Sequence, residues 1–423
     1  VTSAPRAPQH AGPEVQRRVL TVLVLSQALG GAGMAAGITV GALLAQDLLG
    51  STGLAGLPVA LFTAGAALGA LLVGRVSERW GRRPGLALGH ATAALGSVGV
   101  IVAAWARTVP LLLLALFVYG AGSVTGLLAR YAGTDLAPPE KRGRATGTVL
   151  LATTLGAVAG PALVGPTGTL AVSLGLPRLT GPFLLAAVAY AAAASVVALW
   201  LRPDPLLLAR ALRRDAPRPE KDGQRVRRVA PGVVTGAAVM ISGQLVMIAV
   251  MTMTPVHLTD HGHSTQTAGI VIGLHVGAMF LPSTLTGLAV DRIGSLPVAA
   301  SSGGVLLAAG LIAALAPPTG TVGTVLLAAA LVLLGVGWNL ALVSGTALVA
   351  EAAPAEARAS TQGLVDVGMS LAGATGGMVS GLVVAGGSYP LLAVCGGVLA
   401  LAVIPLTARA ARPRHTAPRP TSG

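Results

Sequence analysis

The sequence predicts an all-α membrane protein of twelve transmembrane helices, arranged as two six-helix pseudo-repeats. Three observations carry that prediction: apolar runs of about 20 residues, a one-sided distribution of positive charge, and a loop motif that recurs once per half. The chain has 423 residues, 53% of them hydrophobic and 10% charged. Apolar runs fall at 19–43, 54–74, 84–104, 110–130, 145–167 and 181–201, and again at 232–254, 268–290, 297–316, 322–343, 360–385 and 388–407. Each can cross a hydrocarbon layer of ~30 Å. Their abundant Gly and Ala suit close packing between membrane helices and would weaken soluble ones. A water-soluble enzyme of this composition would expose far too much apolar surface.

The formal net charge of +14 has a topological reading. Of 28 Lys and Arg, only Arg107 and Arg178 fall on the side of the spans opposite to the rest. By the positive-inside rule both termini are expected to be cytoplasmic, in a multi-pass protein of the cell membrane. The basic balance then implies contact with the lipid bilayer and its anionic headgroups, and no nucleic acid partner. Expected boundaries are a disordered tail over 1–18, a first half over 19–201 and a charged cytoplasmic loop over 202–231. A second half over 232–407 and a cytoplasmic tail over 408–423 follow. No cleavable signal is visible, so the first span is expected to act as the targeting signal. A single Cys395 rules out a disulfide framework and a cysteine zinc site. Trp105 and Trp200 fall near helix ends, where interfacial aromatics belong.

The halves repeat each other at matching places. After the second span comes GRVSERWGRR, with Gly74, Glu78, Arg79, Gly81 and Arg82; after the eighth comes GLAVDRIGSL, with Gly287, Asp291, Arg292 and Gly294. Asp135, Pro138, Glu140, Arg142 and Gly147 align in the same way with Glu351, Pro354, Glu356, Arg358 and Gly363. Parallel repeats of six helices are the architecture of rocker-type secondary transporters, with the substrate site midway between the halves. Glycines at 74 and 81 permit close approach of helix ends. Glu78, Arg79, Arg82, Asp291 and Arg292 can form charge-assisted bonds to a neighbouring helix, which makes the two loops a candidate gating latch. The competing reading is a basic loop that only obeys the charge rule.

These residues resemble the major facilitator superfamily. The first loop is similar to its G-x-x-x-D-R-x-G-R-R signature, with Glu78 in place of the Asp. Leu155 to Pro166, LGAVAGPALVGP, is similar to the glycine–proline pattern in the fifth helix of antiporters, with one glycine, Gly165, where that pattern has two. LFVYGAG, Leu116 to Gly122, departs from proton-coupled drug exporters, which carry an Arg where Leu116 stands. The resemblance implies the twelve-helix fold, a transported solute and no cofactor, in a chain expected to act as a monomer.

Spans seven and eight break a methionine-poor background. Of 8 Met, five (Met240, Met247, Met251, Met253 and Met279) lie within 40 residues. Met247-x-x-x-Met251 and His275-x-x-x-Met279 each place two side chains on one helix face. Thioether and imidazole are soft ligands that suit Cu(I). A thioether carries no charge, so it can sit in the membrane cheaply, whereas an imidazole there is a functional hypothesis by default. The Met pair alone is equally at home in packing, and His275 alone could bond a carbonyl or shuttle a proton. Together the motifs resemble the CcoA-like copper importers of the superfamily. That resemblance implies copper as the transported substrate and Met247, Met251, His275 and Met279 as its ligands. The alternative is a proton-coupled exporter or exchanger of a small organic molecule.

His257, His261 and His263, with Asp260, follow the seventh span on the expected outer side, as a metal-gathering mouth or a solvated loop. Asp366 lies within the eleventh span, either a proton relay or a hydrogen-bonded carboxylate near a helix end. Gln244 and Asn339 suit interhelical hydrogen bonds better than ligation. An enzyme within the membrane is excluded by the lack of a nucleophile–base pair, a nucleotide-binding loop or a zinc-protease motif.

Overall fold

A computed structural model describes residues 12–49, 57–214 and 230–411. Residues 1–11, 50–56, 215–229 and 412–423, which take in most of the expected tails and half of the expected central loop, lie outside that description. Among the described residues every regular element is helical. The first half runs α1 (Pro13–Leu49), α2 (Leu57–Trp80), α3 (Arg82–Trp105), α4 (Val109–Ser123), α5 (Thr125–Thr134), α6 (Arg142–Ala162), α7 (Val164–Ser173) and α8 (Gly181–Trp200). A linking helix, α9 (Pro205–Arg214), follows. The second half runs α10 (Pro231–Asp260), α11 (Thr265–Phe280), α12 (Ser283–Ile293), α13 (Ser295–Leu315), α14 (Gly320–Ala352), α15 (Arg358–Gly386), α16 (Tyr389–Ala400) and α17 (Val403–Ala411).

The twelve expected spans reappear as α1, α2, α3, α4–α5, α6–α7 and α8, then α10, α11–α12, α13, α14, α15 and α16–α17. Ten of these are long and apolar enough to cross a membrane among the described residues. Side chains such as Leu95, Val188, Leu285 and Leu315 point outward, as a protein solvated by lipid tails requires. Four spans are interrupted. One break falls at Leu281–Pro282, where proline withholds an amide that the helical ladder needs.

Three boundaries differ from expectation. Residues 13–18 of the expected tail are helical, because Pro13 and Glu14 suit a helix start. The expected central loop contains α9, which is short and rich in arginine but buries Leu206 and Ala209. Asp204 caps it by accepting from the amides of Leu206 (3.0 Å) and Leu207 (3.1 Å), and also takes the Arg83 amide at the start of α3 (2.7 Å). The 2–3 loop, expected to hold Gly74 to Arg82, shrinks to one residue. Gly81 turns the chain at φ 100°, and Gly294 does the same in the second half at φ 92°.

The halves meet where α2 crosses α15 and α6 crosses α12. A Cβ on Gly74 would lie 3.1 Å from the Gly363 Cα, and one on Gly287 would lie 2.2 Å from the Gly143 carbonyl oxygen. Backbone therefore rests on backbone at both crossings. Gly287→Ala should force the α6–α12 crossing apart at a cost of ~1–3 kcal/mol, read as a lower melting temperature of the purified protein. Gly304→Ala, whose added Cβ meets nothing within 4 Å, should leave it unchanged or slightly raised. Equal melting of the two variants would show that the seam tolerates separation.

Candidate functional site

The seam is closed by carboxylates that cap helices of the opposite half. Glu78, in the last turn of α2, accepts through Oε2 from the amides of Ala359 (2.7 Å) and Ser360 (3.1 Å), at the start of α15. Asp291, in the last turns of α12, accepts from the amides of Gly143 (2.7 Å) and Arg144 (3.0 Å), at the start of α6. A helix start offers unpaired amides and a positive dipole end, so a carboxylate is the natural partner for both. Arg144 adds an ion pair to Asp291 at 3.6 Å. Arg210 of α9 pairs with the Glu78 carboxylate and donates to the Glu78 carbonyl (2.8 Å) and to the Glu356 carbonyl (3.3 Å). It thus ties the linking helix to both halves.

Of the arginines in the latch motif, Arg82 alone reaches across the seam. It is buried, bonds both Asp135 oxygens at 2.7 and 3.4 Å, and donates to the Gln362 side chain of the other half. Arg79 is exposed and covers Trp80, and Arg292 is exposed as well. The two acids and Arg82 therefore make the inter-half contacts, while Arg79 and Arg292 face outward.

Deeper along the seam lies a buried ion pair. Asp366 is two turns into α15, roughly 12 Å from its start. It is bound at 2.6 Å by Arg130 of α5, which is wholly buried. Arg130 also donates to Thr346 of α14 (2.9 Å) and the Tyr131 hydroxyl (3.0 Å), and stacks on the Tyr131 ring. The second carboxylate oxygen of Asp366, Oδ2, is buried without a hydrogen-bond partner among the described residues. In sequence Arg130 stands at the very end of the apolar run 110–130, where a cation conforms to the charge asymmetry of the loops. The signal that could have found it was Asp366 itself, since a carboxylate inside a span needs a cation.

The Met and His motifs lie on two sides of α14. Met240 packs on Gly345, Gly243 on Ala341, and Gln244 accepts from the Trp338 indole (2.7 Å). Continuing this antiparallel run, helical periodicity sets Met247 and Met251 level with Leu334 and Leu331. From the other side, a Cβ on Gly335 would lie 2.7 Å from the His275 carbonyl oxygen, and Asn339 donates to the Met279 carbonyl (2.7 Å). Both motifs thus occupy one depth. Met247, Met279 and His275 are buried and Met251 is half-buried. His275 bonds through Nδ1 to the Leu331 carbonyl (2.7 Å), while its Nε2 is buried with no partner among the described residues. A carbonyl only accepts, so Nδ1 carries the proton. In the uncharged ring that leaves a lone pair on Nε2. Metal-ligating histidines are held in the same manner, one nitrogen tied to a carbonyl and the other free to ligate.

The outer histidines divide. His257 and His261 stand together with ring centroids 4.4 Å apart, and His257 stacks on Tyr389 at 4.4 Å. His263 turns away to the Pro318 carbonyl (3.3 Å) and Thr324 (3.4 Å). Helical spacing aligns the first two, and Gly262 at φ 82° redirects the chain before the third. Among the described residues no three His, Cys, Asp or Glu side chains group closely enough to hold a metal ion.

The Major Facilitator Superfamily family model matches residues 22–341 and 283–423. The uncharacterized MFS-type transporter YdeG of Bacillus subtilis is 50% identical over 404 residues, covering 94% of this chain and 93% of its own. The riboflavin transporter RfnT of Brucella anthropi is 31% identical over 354 residues, covering 83% of this chain and 85% of its own. Among solved structures, the human organic anion transporter MFSD10 (TETRAN) superposes with a TM-score of 0.75 at 17% identity, covering 94% of this chain and 100% of that one.

The buried pair gives a double-mutant test. Arg130→Gln strands Asp366 in the interior and should destabilise the purified protein by ~3–5 kcal/mol, as should Asp366→Asn. The double variant should recover much of either loss. Simple addition of the two losses, measured by thermal unfolding, would mean that the pair is not an energetic unit.

Proposed function

The chain belongs to the major facilitator superfamily, and we propose that its cargo is copper, carried inward as Cu(I) through Met247, Met251, His275 and Met279. As a member it is a multi-pass membrane protein and a secondary transporter of a small solute, not an enzyme, and it works by alternating access. The observation that supports copper is His275, whose Nδ1 is anchored to Leu331 and whose Nε2 lone pair is buried and unpartnered. It lies at the depth of a thioether pair. Cu(I) accepts two to four soft ligands with little geometric demand, so in this reading the two pairs, which pack on two sides of α14, draw together around the ion as the transporter changes state.

In this reading His257 and His261 gather the ion at the outer mouth without His263, and the ligands below strip its remaining water. Glu78, Asp291 and Arg82 hold the cytoplasmic face shut while the ion binds. Asp366 couples the cycle to protons: a proton on its carboxylate neutralises the bond to Arg130, and the halves can part. Both termini face the cytoplasm, and a single chain forms the whole pathway.

The relationship to the riboflavin transporter RfnT supports a second reading, in which a small organic molecule crosses between the same halves. Uptake measured side by side decides between them. Met251→Leu and His275→Phe should each lower initial copper uptake under reducing conditions at least about tenfold, at wild-type membrane abundance. Leu nearly conserves the volume of Met, so packing alone would cost under ~1.5 kcal/mol. Normal copper uptake in both variants, with riboflavin uptake dependent on the gene, would establish the second reading instead.

The latch gives a separate expectation. Glu78→Gln should change the maximal transport rate severalfold and leave half-saturation within about a factor of two, because it biases the states and touches no cargo. Parallel loss of binding and rate would remove the latch role.

A further inference from the structure

Two buried donors at the closed seam have nothing to donate to. Arg358 is the first residue of α15 and 4% exposed, and its Nε has no hydrogen-bond partner among the described residues. Gln362 stands one turn further on the same face and is fully buried. Its Oε1 accepts from Arg82 of the other half, and its Nε2 has no partner among the described residues. Leaving a buried donor bare is costly, and here two stand together.

The charges around them point the same way. Arg82, Arg142 and Arg213 act on Arg358, against one carboxylate, Asp135. That carboxylate is already bound through both oxygens to Arg82, and none of the ion pairs among the described residues includes Arg358. Glu78, the acid at the start of α15, spends its charge on the Ala359 and Ser360 amides and on Arg210. Arg142 and Arg358 are also the first residues of their helices, where the positive dipole end disfavours a cation. Around Arg358 itself positive charge is therefore in excess, whereas Glu351 and Glu140 offset Arg142, and the nearest bare acceptor, Asp366 Oδ2, belongs to the Arg130 pair one turn beyond Gln362.

We infer that this corner binds a small inorganic anion of chloride size, held by Arg358 and Gln362 of α15 beside Arg82 of the other half. A water molecule could accept from both donors but would leave the positive charge uncompensated and turn its own protons toward arginines. Arg213, exposed on α9, supplies positive potential at the rim for an ion arriving from that side. Both donors lie on α15, and Gln362 is at the same time bound by Arg82 of the other half, so the ion sits on the closed seam and favours it. This holds whatever the cargo is.

The test uses the full-length protein in detergent, melted in potassium chloride and in potassium gluconate at equal ionic strength. Chloride should raise the melting temperature by a few degrees in a saturable manner, as a ligand of the folded state must. Arg358→Gln and Gln362→Leu should each flatten that response, the second without altering any charge. Crystals grown in bromide should show an anomalous peak between the two side chains. Identical melting in both salts, a chloride response undiminished in both variants, or bromide crystals with only water at the site would each overturn the assignment.

Discussion

Each half of this protein starts a helix that the other half must finish. The amides at the start of α15 are capped by Glu78 from α2, and those at the start of α6 by Asp291 from α12. The dependence is mutual, so opening this end uncaps two helices and strands two carboxylates in a single event. Water can take over these bonds at the surface. It cannot do so for Arg130 and Asp366, which lie deeper and lose their partner in the same movement. The caps lie where the two halves meet, and the buried pair adds a second bond between the halves deeper along the seam.

Much of this was legible in the residues. The spans follow from run length, and the recurrence of Gly74 and Glu78 as Gly287 and Asp291 points to the two places where an acid of one half meets the other. The partner of each acid was not legible, because the bond runs to backbone amides, which carry no side-chain signature. Arg130 was hidden for a different reason. Near the end of an apolar run, a buried cation and a loop cation look alike until the carboxylate opposite is placed. Helix α9 escaped notice because ten residues rich in arginine lack the length of a span, and its cap, Asp204, serves two helices at once.

The histidines show what spacing can and cannot say. Four-residue spacing correctly pairs His257 with His261, and it puts His275 and Met279 on one face of α11. It says nothing of which nitrogen is free. That depends on the Leu331 carbonyl, 56 residues away along the chain, and on α11 approaching α14 over Gly335. A residue with a side chain at 335 would push α11 outward and break the bond that orients the ring. The glycine on one helix thereby selects the tautomer on another.

The crossings of the seam at Gly74 with Gly363, and at Gly143 with Gly287, have an entropic consequence. No side chain is immobilised where backbone rests on backbone, so closing there gives up little rotational freedom. The directional bonds gained on closing are instead the caps and the ion pairs, which join one half to the other. Closure therefore costs little conformational entropy at its pivots, and the specificity of the closed seam rests on the caps and ion pairs.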